Sequence, residues 1–177
     1  MLLYRRNSAD DFTVALNPDS PLSTPSYTSS FVLFPAFADI DGDGDDDLFV
    51  GANNDVGRIR FYRNDGSVPP LFEEDEPHNP FGGIDFGGYP AAAFADIDND
   101  GDLDAFVGEG TSYYGGAAIR FFENTGTSTA PAFVERTGLE NPLDGFADTL
   151  ITDYPQPAFT DFDEDGDTAV FVDRKSV

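Results

Sequence analysis

Three short stretches of this chain carry carboxylates at alternate positions: Asp39, Asp41 and Asp43; Asp96, Asp98 and Asp100; Asp161, Asp163 and Asp165. A glycine follows each triplet (Gly44, Gly101, Gly166), and then a further aspartate (Asp45, Asp102, Asp167). Sixteen of the 34 acidic residues fall within 39–47, 96–104 and 161–167. Carboxylates a few ångströms apart repel one another, so this crowding makes sense where a cation sits among them. Calcium takes six to eight oxygens at about 2.3–2.6 Å in a flexible shell, which suits carboxylates at positions 1, 3 and 5 of a loop. Glycine at position 6 permits the sharp turn, because it tolerates positive φ. The position-7 carbonyl then reaches the ion, and a later carboxylate closes the shell. That closing group is Asp47 in the first loop and Asp104 in the second. The third loop has Ala169 there and is expected to bind more weakly, or not at all.

An EF-hand shares the first six positions but requires Glu at position 12. Position 12 here is Val50, Val107 or Val172, each inside an apolar run, so the EF-hand is excluded. Magnesium is disfavoured because all-protein carboxylate cages suit the larger, looser shell of calcium. Cysteine is absent, so neither a disulfide framework nor a thiolate metal site can form.

Other residues with chemical potential read more plainly. His78 is the only histidine, in an acidic, proline-rich stretch with no nucleophile motif nearby, and reads as a surface residue. Paired carboxylates can hydrolyse glycosides, but here they are absorbed by the acidic loops, and the chain is read as a non-enzyme. Arg58, Arg60 and Arg63 lie on or beside one expected strand and read as an exposed face pairing with surrounding acid. Tyr113 and Tyr114 sit in a glycine-rich connection, EGTSYYGGA (109–117), longer than its counterpart ANNDVG (52–57). Tyrosines on such a loop stack on sugars or anchor a protein partner, or else pack on a neighbouring repeat.

The elements that position these residues are repeated. FADIDGDGDDDLFVG (37–51), FADIDNDGDLDAFVG (94–108) and FTDFDEDGDTAVFVD (159–173) are copies of one unit, their first aspartates 57 and 65 residues apart. A second unit lies between them: IRFYRNDG (59–66), then a Phe72 segment and Asn79-Pro80; IRFFENTG (119–126), then a Phe133 segment and Asn141-Pro142. LLYRRNSADDF (2–12) with Asn17-Pro18 is a worn copy of that second unit. The apolar runs are short, rich in Phe, Val, Ile and Tyr, and bounded by Gly, Pro, Asn and Asp, which predicts strands throughout. Thirteen prolines and 18 glycines leave no room for a long amphipathic helix. The expected fold is all-β and a single domain over 1–177. It divides into a half-unit 1–36, repeats 37–93 and 94–158, a half-unit 159–173 and a tail 174–177.

These motifs resemble the FG-GAP, or VCBS, repeats of integrin α-subunit-like β-propellers. The resemblance implies four-stranded blades, with the calcium loop joining the first two strands. It implies one site from Asp39, Asp41, Asp43, Asp45 and Asp47, and another from Asp96, Asp98, Asp100, Asp102 and Asp104. Asp161, Asp163, Asp165 and Asp167 correspond to a third set, in a repeat that departs from the pattern at Ala169 and Asp173. Three blades' worth of strands cannot close a ring of four to eight. The expectation is therefore a six-bladed homodimer in which half-blades of two chains complete one another.

A net charge of −25 repels phosphate backbones and anionic membrane surfaces, so neither nucleic acid nor membrane is an expected partner. No window approaches the ~18 apolar residues of a membrane span. The N-terminal MLLYRR is too short and too quickly polar for a signal peptide. The reading is a calcium-binding recognition or adhesion surface outside the cytoplasm, with a protein or glycan ligand. Its rivals are a purely structural module of a larger secreted protein and an accessory domain of a hydrolase.

Overall fold

The computed structural model describes residues 3–6, 12–15, 33–52, 57–68, 70–110, 117–145 and 154–173. Twelve strands lie among them, accompanied only by single 3-10 turns at Glu76–His78 and Gly138–Glu140. Strands β3 (Leu33–Ala38), β4 (Asp47–Ala52), β5 (Ile59–Asn64) and β6 (Phe72–Glu74) form one antiparallel meander. Strands β7 (Gly88–Ala95), β8 (Asp104–Gly110), β9 (Ala118–Asn124) and β10 (Phe133–Arg136) form a second in the same order. Two-stranded sheets come from β1 (Leu3–Arg6) with β2 (Phe12–Ala15), and from β11 (Gln156–Thr160) with β12 (Ala169–Asp173).

Register is the same in all three acidic units: Phe37 pairs with Leu48, Phe94 with Ala105 and Phe159 with Val170. An acidic loop of constant length fixes this offset, and with it which side chains face each way. Strand bounds differ slightly from the sequence-based expectation. The second strands begin one residue earlier, so Asp47 and Asp104 are strand residues rather than loop residues. The third strand of the first repeat runs Ile59–Asn64, leaving Arg58 exposed just before it.

The sheets pack face to face, with β7 against β3 and β4, and β11 against β7 and β8. Alternation puts Phe49, Ile59 and Phe61 on the face toward the next sheet, where they meet Phe81, Phe86, Phe94 and Phe122. Phe106, Ile119 and Phe121 repeat this toward Phe159 and Val172. Aromatic edges and faces interlock here, with Phe49 centred 4.6 Å from Phe94 and Phe106 4.7 Å from Phe159. The close approach depends on two glycines. A Cβ on Gly51 would lie 1.8 Å from the carbonyl oxygen of Pro90, and one on Gly108 the same distance from that of Pro155. Successive four-stranded antiparallel sheets packed in this way are consistent with a β-propeller-like fold.

Candidate metal centres

Each acidic loop is built by its own first aspartate. The carboxylate of Asp39 accepts the backbone N–H groups of Asp43 (3.1 Å) and Gly44 (3.0 Å). Asp96 does the same for Asp100 and Gly101, and Asp161 for Asp165 and Gly166. The position-5 carboxylate then accepts the position-7 N–H in every copy: Asp45 to Asp43, Asp102 to Asp100, Asp167 to Asp165. The glycine at position 6 is left-handed throughout, with φ of 95°, 94° and 93°. One carboxylate oxygen from each of positions 1, 3 and 5 lies within 4.8 Å of the others in all three loops. The carboxylates of Asp45, Asp47, Asp102, Asp104 and Asp167 are outside these groups.

Burial grades from loop to loop. Asp39 and Asp41 are half-buried in the first triplet, only Asp96 in the second, and all three are exposed in the last. The first loop is covered by the turn that follows β9, where Ser128 O would lie 2.8 Å from a Cβ on Gly42.

Position 9 has a role that the sequence pattern did not reveal. Asp47 Oδ1 accepts the backbone N–H of Asn64 at 2.8 Å, and Asp104 Oδ1 accepts that of Asn124 at 2.8 Å. The aspartate thus bolts the start of the second strand to the end of the third. Asn64 returns a bond from Nδ2 to the carbonyl of Asp46. The visible sequence signal is the shared Asn that ends IRFYRN and IRFFEN. Burial pushes the carboxyl groups of Asp47 and Asp104 up to about 6, against the partial relief of those N–H bonds. Asp104 Oδ2 also accepts the N–H of Ile97, whereas Asp47 Oδ2 and Asp41 Oδ1 are buried without a protein partner. Buried anionic oxygens without donors, beside three convergent carboxylates, fit a hard divalent cation.

The surroundings of the first two loops differ in one cation. Arg63 ion-pairs with Asp41 and reaches Asp75 at 3.3 Å. The equivalent residue in the second repeat is Glu123, which binds Arg136 instead. Sequence reading placed Arg63 on an exposed face pairing with surrounding acid. The structure puts it against the first acidic loop, while Arg60 pairs with Glu74 at 3.5 Å. His78 lies on the surface with Nδ1 2.8 Å from Asp75 Oδ1.

At the opposite ends of β3, β7 and β11 stands a row of rings. Tyr89 and Tyr154 are centred 4.0 Å apart, and Phe34 meets Tyr89 edge-on at 6.4 Å. Both tyrosines precede a proline and adopt positive φ, 57° and 45°, which is costly for a bulky residue. The repeated Tyr-Pro was the available signal. Tyr113 and Tyr114 lie outside the described residues. Their connection leaves β8 at Gly110, directly against the Tyr154 ring.

Residues 39–107, from the first acidic loop through β8, match the family model of the FG-GAP-like repeat. That segment thus carries an FG-GAP-like repeat. Comparison with curated proteins and with solved structures finds no match.

Proposed function

We propose that this protein is a calcium-stabilised, β-propeller-like module that presents a recognition surface outside the cytoplasm. The observation that carries the metal reading is the triple recurrence of three convergent carboxylates, with unpartnered Asp41 Oδ1 and Asp47 Oδ2 at the first loop. Asp39, Asp41, Asp43 and Asp47 would hold one ion, and Asp96, Asp98, Asp100 and Asp104 another. The ion neutralises crowded charge and fastens the first strand to the second, so its role is architectural. Binding rather than catalysis is the proposed activity, because the acidic groups would be taken up by a cation and His78 is engaged by Asp75.

The recognition reading rests on the ring row Phe34, Tyr89 and Tyr154, at the ends of the strands away from the acidic loops. Strained, partly exposed aromatics on a rigid scaffold suit stacking on sugars or on a protein side chain. Calorimetric titration with calcium, and melting with calcium against chelator, test the metal reading. Expected are at least two bound ions and a higher melting temperature; identical melting curves would sink it. A glycan array with Tyr89→Ala, Tyr113→Ala and Tyr114→Ala variants tests the surface. Binding that survives all three removes the basis for placing it there.

A further inference from the structure

We propose that a second copy of this chain docks on the bare face of β11–β12, repeating a junction that the chain already makes twice within itself. In the first junction Phe49 of β4 meets Phe94 of β7 at 4.6 Å and 43°. In the second, Phe106 of β8 meets Phe159 of β11 at 4.7 Å and 40°. Phe171 of β12 is the third member of the series Phe49, Phe106, and it is 51% exposed. Phe37 of β3 is the missing first member of the series Phe94, Phe159, and it is 52% exposed. One chain therefore displays both halves of a contact, on sheets with no extensive packing between them among the described residues. Phe162 supports the same face: it is 76% exposed, although its counterpart Ile40 is buried.

Seating Phe37 of a second copy on Phe171 also brings β1 of that copy toward β12. By sequence β1 is the counterpart of β5 and β9, the strands that pair with β4 and β8. Among the described residues β12 pairs only with β11, and β1 only with β2. The contact joins two different surfaces, so it runs open unless the rotation closes it. Among the described residues each copy has two four-stranded and two two-stranded sheets. Pairing the half sheets between two copies would bring the total to six, within the range in which propellers close. Asp173 is the one mismatch. It stands where Gly51 and Gly108 admit the next strand, so the incoming strand must stand off, and the junction is weaker than the internal ones.

Light scattering across protein concentration, in millimolar calcium and enough salt to screen the −25 charge, tests this. The expected mass is twice the chain's 19.1 kDa. Phe37→Ser and Phe171→Ser should each weaken the dimer about thirtyfold, and Asp173→Gly should tighten it. Mixing the two Ser variants should restore association, because one junction of the mixed pair then keeps both phenylalanines. A monomer at all concentrations, for both the wild type and Asp173→Gly, overturns the proposal. So does an open ladder of masses, or a dimer lost in Phe171→Ser and intact in Phe37→Ser, which would mean that Phe171 meets itself. None of these readouts depends on how many ions bind, so the calcium reading stands or falls separately.

Discussion

Phe106 and Phe171 hold the same place on the second strand of their repeats, yet one is buried and the other half-exposed. The same holds at the head of that strand. Asp104 is buried and bonded to Asn124, while Ala169, its counterpart, is exposed. The acidic loops before them nevertheless share every internal hydrogen bond between positions 1, 5, 6 and 7. The loop is thus a local device that forms in all three copies of D-x-D-x-D-G-D, whatever surrounds it. Burial, and the closing carboxylate, come from neighbours. Among the described residues no third strand pairs with β12, and the third loop carries Ala169 where the other two carry aspartate. A second grading runs along position 4, which is left-handed in every copy: Gly42, Asn99, Glu164. Glycine adopts that conformation freely and asparagine tolerates it, but glutamate does so at a cost. Each step away from the first loop makes the site less sheltered and its backbone less suited.

The largest effect that would test this contrast is at the junctions. Gly108→Ala drives a Cβ into the carbonyl of Pro155, and Phe106→Ala empties a packed aromatic site; each should cost about 3 kcal/mol or more in urea unfolding. Phe171→Ala, measured in dilute solution, should cost about 1 kcal/mol or less. Equal losses for Phe106 and Phe171 would erase the distinction between a buried and a bare repeat.

Metal removal comes next. A site with Kd near ~10⁻⁴ M contributes about 1.4 kcal/mol at ~1 mM calcium. Asp43→Ala and Asp100→Ala should each remove about that much of the calcium-dependent stabilisation, and Asp165→Ala little of it. Differential scanning calorimetry with and without chelator reads the difference directly. A calcium increment that falls as far in Asp165→Ala as in Asp100→Ala would put the third loop on a par with the others.

Arg63 offers a finer test between the first two loops. Its guanidinium competes with an ion for Asp41, and the second loop has no such competitor at Glu123. Arg63→Gln should raise calcium affinity at the first loop by about fivefold, near 1 kcal/mol, when titrated in an Asp100→Ala background. Weaker binding would mean that the arginine orders the site. The smallest effect is expected at Glu164→Gly, which relieves a left-handed glutamate and should stabilise the fold by about 0.5–1 kcal/mol.

The sequence by itself determined the repeat, the strand order within each unit and the internal architecture of the acidic loops. Those features rest on contacts a few residues apart: aspartate carboxylates turning back to N–H groups four and five positions on, and alternation that buries one face. Conversely, sequence pattern read Asp47 only as the carboxylate that closes a metal shell. The tertiary structure made Asp47 a buried bolt to Asn64, seventeen residues away, because only strand pairing brings the two together. Arg63 reads as one of three arginines on a strand until folding sets it twenty-two residues away, on Asp41. Tyr89 and Tyr154 meet ring to ring, tilted by 58°, although a whole repeat separates them, because β7 and β11 pack side by side. Spacing along the chain fixes what a loop can do for itself. Which loop is sheltered, and which phenylalanine is left bare, depends on the sheet beside it.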